Sequence, residues 1–279
     1  MTRLAAIFVT VSSISLTAAQ QTAPIVQFEI ASVKVNATND TNSYFVIPPS
    51  GRVSITNAQL RHIITQAFQI NPQTARFVLL GGPERIMTTR FDITAKPPDD
   101  ARPGQANAML RELLTKRFAL QTHTEKRDTP VYALKAANNG RFGPDFRRSP
   151  HNCDEYIKAV RLQETGVVEP SDANGKSWCR SNPFARDGMA PRGAGTIARL
   201  IRDVQASADR PIIDLTGLAG NFEWELKFTS ISVGRSVKPD SNVPDMFTAF
   251  REQLGLTLEP QIAPYEVLVI DRVQMPTPD

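Results

Sequence analysis

The sequence predicts an α+β protein made of two tandem copies of a small helix-on-sheet unit, of the βαββαβ kind, joined by a long irregular insert. Amphipathic helical stripes alternate with short apolar strands, and the order helix, strand, turn, strand, helix, strand, strand occurs twice. Landmark residues also recur at offsets of about 131 to 137 positions, as Val131 and Val267 do. So long a period indicates a duplicated unit and not a solenoid, whose repeats are about 20 to 50 residues.

Residues 1–19 have the features of a signal peptide. Arg3 supplies a positive start, residues 4–16 are mostly apolar, and small residues at 17–19 fit cleavage before Gln20. The alternative is a membrane anchor, but a span needs about 20 apolar residues, and this segment is short and rich in Ser and Thr. We expect a cleaved leader, no membrane span in the mature chain, and a periplasmic or extracellular location.

The first unit is predicted at 20–137. Alternating polarity at 26–35 and short apolar stretches at 42–49 and 52–56 predict three strands. Asn57 is the predicted N-cap of the helix that follows, because its side chain can accept from first-turn amides. The stripe of that helix, at the spacing of one helical face, is Leu60, Ile63, Ile64, Ala67 and Phe68.

The rest of the first unit continues with a strand at 77–80, a Gly-Gly-Pro break and an alternating strand at 90–96. A second helix is predicted at 108–118, with an apolar stripe of Leu110, Leu113, Leu114 and Phe118. Two closing strands complete the unit, with a turn near Arg127 and Asp128. The second unit, at 193–275, is predicted to repeat this order, and residues 276–279 form a tail.

The insert at 138–192 is dominated by Gly, Pro, Asn, Asp, Ser and Arg, which predicts either a linker or a functional loop. Its two cysteines, Cys153 and Cys179, are the only ones in the chain, and an even count in an exported protein favours a disulfide. Reactive thiols and a metal site with His151 are the alternatives. Trp178 either packs on this disulfide or is an exposed anchor for a partner; Trp224 alternates with apolar residues and is predicted to be core.

Charge and motifs exclude several functions. The formal net charge of +4 is small, and basic residues alternate with acidic ones, so we predict no nucleic-acid partner. Nucleotide-binding glycine motifs and a serine-hydrolase elbow are missing from the sequence. His62, His123 and His151 are predicted to be structural or surface residues. We therefore assign no catalytic, cofactor-binding or metal-binding residues; the assigned site residues are the disulfide pair, Cys153 and Cys179.

The chain resembles a family of uncharacterised exported proteins expanded in acidobacteria and other soil bacteria. The matching segments cover most of the mature chain, at 28–34, 80–96, 113–134, 210–228 and 252–273. This resemblance implies no activity and no catalytic residue.

Each predicted unit also resembles the small βαββαβ modules at the periplasmic N-terminus of secretins and TonB-dependent transducers, most closely in the second unit. Those modules bind other envelope proteins, so this resemblance implies a binding role. It is a likeness of fold, which by itself says little about function.

From these observations we predict a non-catalytic envelope or secreted binding module with an envelope or extracellular protein partner. A sheet edge that accepts a partner strand, and the insert around Cys153–Cys179, are the predicted recognition surfaces. One alternative is a secreted hydrolase whose site lies between the two units and uses acids and His151 from the insert. A protective or structural surface protein is another.

Overall fold

The computed structural model describes residues 27–38, 40–48, 50–102, 104–136, 141–162, 164–179, 184–185, 188–229 and 242–276. These residues form a mixed α+β structure with several sheets and seven α-helices, in agreement with the predicted fold class. The predicted signal peptide at 1–19 and the last three residues of the chain lie outside the described residues.

An antiparallel sheet of four strands forms the N-terminal region, in the order β1, β5, β3, β2: these are β1 (Ile30–Val35), β2 (Tyr44–Val46), β3 (Val53–Gln59) and β5 (Arg90–Lys96). Helices α1 (Leu60–Ala67) and α4 (Ala106–Phe118) pack against this sheet in one apolar core. Phe91 of β5 meets Phe118 of α4 edge to face, with ring centroids 5.0 Å apart. The predicted helical stripes therefore face the sheet.

Asn57 is not the N-cap of α1, and that prediction was wrong. The residue lies within β3 with a φ of 55°, and the helix begins at Leu60 with Gln59 in the N-cap position. The buried Asn57 side chain donates to the backbone carbonyls of Asp40 and Asn42. It therefore fixes the loop before β2, a role that depends on contacts too distant in sequence for a local pattern to indicate.

The strand predicted at 77–80 begins as a helical turn. Helix α2 (Ala75–Val78) precedes β4 (Leu79–Gly81), and α3 (Glu84–Thr88) follows it. The prediction was right only for the end of this segment, because a short apolar stretch has too few residues to distinguish a helix from a strand.

The two longest strands, β6 (Gln121–Ala136) and β13 (Leu256–Arg272), pair antiparallel along almost their whole length. The turn predicted near Arg127 and Asp128 is wrong, because Asp128 lies opposite Pro264 in the middle of this ladder. A partner strand extended on both sides of Asp128 overrides the local turn preference of that residue.

This two-stranded ribbon joins the N-terminal and C-terminal regions. Strand β4 pairs parallel with β13, with Leu79 opposite Leu268. Strand β11 (Ile212–Asp214) pairs parallel with β6, with Ile212 opposite Tyr132. Each region thus adds one short strand to a long strand that continues into the other region.

An antiparallel sheet of three strands, in the order β10, β12, β7, forms the C-terminal region. Its elements are β7 (Phe146–Arg148), α5 (Cys153–Arg161), β8 (Phe184–Ala185), β9 (Gly188–Met189), β10 (Arg192–Gly195), α6 (Ile197–Gln205), β12 (Phe222–Glu225) and α7 (Met246–Ala249). A π-helical segment, Phe250–Leu254, continues α7. A second apolar core contains Trp224, which is fully buried as predicted.

The insert at 138–192 is more regular than its composition indicates. It provides β7, which pairs with β12, and helix α5. Phe146 of β7 is buried and stacks on Phe222, with ring centroids 4.8 Å apart. A three-residue strand is too short for a period in the sequence, so its pairing could not be predicted locally.

Candidate functional site

The predicted disulfide joins Cys153 and Cys179, whose Cα atoms lie 5.2 Å apart. Cys153 begins α5, and the side chain of the preceding Asn152 accepts from the amides of Asp154 and Glu155. Both sulfur atoms are therefore in the bond, and neither cysteine is a reactive thiol or a metal ligand.

Trp178 packs on this disulfide, as one of the two predicted alternatives states. Its side chain is 4% exposed and forms a small core with Cys153 and Ala194. The guanidinium of Arg192 lies 3.7 Å from the centroid of the Trp178 ring, in cation–π geometry. Trp178 therefore stabilises the insert by packing and is not an exposed anchor for a partner.

Three further ion pairs stabilise the insert. Arg192 is buried and its Nη2 lies 2.6 Å from Asp172 Oδ2; the hydrogen bond from Arg192 lowers the pKa of the Asp172 carboxyl. Arg199 of α6 reaches Asp154 of α5 at 2.6 Å. Arg147 of β7 approaches the third carboxyl, that of Glu223, to 2.6 Å. Buried and partly buried pairs of this kind are costly to break singly.

His151 lies beside the same Glu223, but the arrangement is not that of a serine hydrolase. The hydroxyl of Ser149 donates to Glu223 Oε1 at 2.7 Å, and His151 Nε2 is 3.9 Å from the same oxygen. The His151 backbone amide, not the ring, contacts the Ser149 hydroxyl. A catalytic serine must direct its hydroxyl proton at the base, and Ser149 directs its proton at Glu223 instead of at His151. We therefore interpret Ser149, His151 and Glu223 as a structural contact between the insert and the sheet.

The other two histidines are apart from this group. His123 lies exposed on the ribbon, with Nδ1 2.8 Å from Asp271 Oδ1, and this hydrogen bond raises the pKa of the imidazole. His62 lies on α1. Across the described ranges, no group of three or more His, Cys, Asp or Glu side chains could hold a metal ion.

A cavity of about 400 Å³ lies between the two regions, where the predicted hydrolase alternative would have its site. Its polar lining consists of Gln69, Asn71, Thr74, Thr124, Gln205, Tyr265 and Glu266. Burial, together with Glu266, raises the pKa of the Tyr265 phenol. Glu266 is the one carboxylate among these described residues and no histidine joins it, so the cavity lacks the pair of groups that acid–base hydrolysis uses.

The outer strand of the N-terminal sheet carries three consecutive exposed apolar residues. Tyr44, Phe45 and Val46 make up all of β2, and they are 54%, 36% and 58% exposed. Strand β2 pairs with β3 on one side and is last in the sheet order. We refer to Tyr44–Val46 as the open edge.

The family model described as "Protein of unknown function (DUF3738)" matches residues 61–273. This match covers most of the chain, so the protein belongs to that family. Comparisons with curated proteins and with solved structures found no match. Among the described residues, no helix is long and apolar enough to cross a membrane.

The sequence contains a signal for the open edge. Tyr44, Phe45 and Val46 are consecutive apolar residues in a short strand, whereas a strand with one solvated face normally alternates. A second group that local patterns do not indicate consists of Arg61, His62 and Arg76. Its members are separated by up to a full helix and loop, so only the fold brings them together.

Proposed function

We propose that this protein is an exported, non-catalytic binding module that captures an extended apolar segment of an envelope or extracellular protein along the open edge. The observation that supports this most strongly is the exposure of all three side chains of β2. Exposed apolar edge strands are templates for pairing with another chain, and natural proteins usually cover or charge them. Here the strand has no charged residue.

The partner mode is strand addition, in which backbone hydrogen bonds supply affinity and alternate side chains supply specificity. Tyr44 and Val46 point to one face of the sheet and Phe45 to the other, since successive side chains alternate in a strand. A partner with apolar residues on both faces would match them. Pro48 follows two residues after β2 and limits the length that can pair.

The insert provides the second recognition surface in this proposal. Val160, Leu162 and Val168 are exposed aliphatic residues within the disulfide-closed segment. The disulfide, Trp178 and the ion pairs hold this segment, and a preorganised surface binds with less entropic loss. Export is consistent with the disulfide, which is stable in oxidising compartments.

We also infer that the chain is a duplication, and that each unit is related in fold to the secretin and TonB-transducer modules. Two features support the duplication. The orders β1, β5, β3 and β7, β12, β10 correspond strand for strand. Tyr132 pairs with β11 and Leu268 pairs with β4, so the duplication makes these two residues equivalent. The same sequence offset separates Asp128 from Pro264, and these two residues lie opposite each other in the ribbon. Strands β4 and β11 each pair with a long strand of the ribbon, so this fold already joins its units by strand pairing. An open edge that pairs with a partner strand would use the same kind of contact.

The test uses the mature chain as bait in an envelope extract of the source organism, with three baits compared. Wild type is set against Val46→Lys, which places a charge on the open edge, and against Ile262→Lys. Ile262 is an exposed aliphatic residue on β13, 64% exposed, and provides the matched control. We expect wild type and Ile262→Lys to recover the same partner and Val46→Lys to lose it.

Equal recovery by all three baits would contradict the open edge as the binding surface. Recovery of no partner above background by wild type would contradict the binding function itself. A homodimer that dissociates on Val46→Lys, measured by analytical ultracentrifugation, would replace the proposed occupant with a second copy of the chain.

A further inference from the structure

A second cavity, of about 460 Å³, lies on the N-terminal region beside α1, and its lining includes no residue of the open edge. Its polar lining is Arg61, His62 and Thr65 of α1, Arg76 of α2 and Glu84 of α3. The volume falls within the range of roughly 300 to 1,000 Å³ that small-molecule sites occupy. The cavity is therefore large enough for a multi-atom ligand and not only for a bare ion.

Basic side chains dominate this lining. Arg61 and Arg76 are guanidinium groups and His62 is titratable, whereas Glu84 is the one carboxylate among the described lining residues. Glu84 lies 3.6 Å from Arg61 Nη2, and its side chain is 76% exposed. An ion pair this long and this exposed is weak, so Glu84 can move aside when an anion enters.

Both arginines also contact groups outside the cavity. Arg61 Nη1 donates to the Leu79 carbonyl at 3.3 Å. Arg76 lies over the Phe77 ring at 4.6 Å and pairs with Asp209 at 3.2 Å. Each guanidinium has five N–H donors, so these contacts orient the groups while leaving further donors for a ligand.

His62 reports the sign of the local potential. Partial burial lowers the pKa of its imidazole first, and the cations Arg90 and Arg61 lower it further. The neighbours named here that act on His62 through charge are therefore positive. A bound anion would oppose that effect and raise the pKa.

We propose that this cavity binds a small organic or inorganic anion through its carboxylate or phosphate groups, with Arg61 and Arg76 as the main donors and His62 as the third. Arginine matches both groups because its planar donors can form paired, charge-assisted hydrogen bonds. This site is independent of the open edge, and its test does not depend on the protein partner.

The test measures binding of citrate and of inorganic phosphate to the full mature chain, at constant ionic strength set with sodium chloride. Calorimetry gives the affinity, and NMR titration gives the pKa of His62. We expect a saturable rise in that pKa with at least one probe. Citrate alone would identify a carboxylate ligand, and phosphate alone would identify a phosphate ligand; either supports the site.

The variants are Arg61→Gln and Arg76→Gln, with Arg85→Gln as the control. Arg85 is an exposed arginine of α3 that does not line the cavity. Loss of one charge-assisted contact should weaken binding by roughly ten-fold or more in each lining variant, and Arg85→Gln should leave it unchanged. Thermal melting confirms that each variant is folded, and two lining variants keep the test valid if one is not.

Two results would overturn the proposal. One is the absence of saturable binding with both probes and an unchanged His62 pKa. The other is an equal effect of Arg85→Gln and the lining variants, which would indicate general charge attraction.

Discussion

The two sheets differ in how the strand before α1 and the strand before α6 are covered. In the N-terminal sheet, the strand before α1 is β3, and its free side holds β2, the open edge. In the C-terminal sheet, the strand before α6 is β10, and all four of its residues are buried under the disulfide-bound insert. An insert, a disulfide and several ion pairs thus cover the edge at β10. Apolar side chains stay exposed on the edge at β2. This contrast motivates the proposal that β2 is a binding edge.

Trp178→Ala should have the largest effect on the covered edge. Removal of a buried tryptophan typically costs about 3–5 kcal/mol of the free energy of unfolding, and here it also removes the ring that stacks on Arg192. Val46→Ala on the open edge should change that energy by no more than about 0.5 kcal/mol, as expected for a surface position. Urea unfolding measures both. Comparable losses in the two variants would remove the proposed contrast.

Loss of the disulfide should come next. The double variant Cys153→Ser, Cys179→Ser should lose about 3 kcal/mol, because the open chain gains loop entropy when unfolded. Reduction of the wild-type protein provides the control and should give a similar loss. If denaturant midpoints stay the same, the insert is held by its other contacts alone.

Ala119, which follows α4, and Gly255, which follows the π-helical segment, both have left-handed backbone conformations. Gly255, with φ of 67°, precedes β13, and an added Cβ would lie 2.5 Å from the Arg141 carbonyl oxygen. Gly255→Ala should therefore lose about 2–3 kcal/mol through strain and overpacking. Ala119 precedes β6 with φ of 47°.

Ala119→Gly should instead raise the free energy of unfolding by about 0.5 kcal/mol. The relief of left-handed backbone strain in the folded state slightly exceeds the cost of the added entropy of the unfolded chain. Thermal unfolding of the two variants measures both changes. If both substitutions changed the free energy of unfolding in the same direction, the insert would not restrict the backbone at Gly255 more than the backbone at Ala119 is restricted.

The smallest effects concern pH. Asp271 raises the pKa of His123, so the contribution of that pair to stability is present below the unfolded-state value of about 6.5 and is lost as pH rises through the folded value. His62 has the opposite sign, because its lowered pKa makes the folded state lose stability as pH falls below about 6.5. NMR titration should show Asp271→Asn lowering the His123 pKa without moving that of His62. Movement of both would contradict the local origin of the shift.

Local patterns predicted the parts of this fold that depend on local physics. The helical stripe that ends at Phe118 and the alternation of Phe91, Ile93 and Ala95 follow from which face is buried. The disulfide followed from the cysteine count and the predicted signal peptide. By contrast, the unbroken β6, the role of Asn57 and strand β7 depend on partners far along the chain, so no window of sequence contains the cause.

The site was less predictable than the fold for the same reason. The adjacency of Trp178 to Cys179 gave packing on the disulfide as one of two alternatives, and burial of the ring decided between them. The cavity of Arg61, His62 and Arg76 and the ion pairs of the insert arise only after α1, α2 and the C-terminal sheet are assembled.

Hydrogen–deuterium exchange of the mature chain, with and without the partner recovered by the wild-type bait, tests the central claim most directly. We predict slow exchange at 192–195 in both states, and exchange at 44–46 that is fast in the free protein and slowed by the partner. Unchanged exchange at 44–46 in the complex, with protection elsewhere, would contradict the assignment of the open edge as the binding surface.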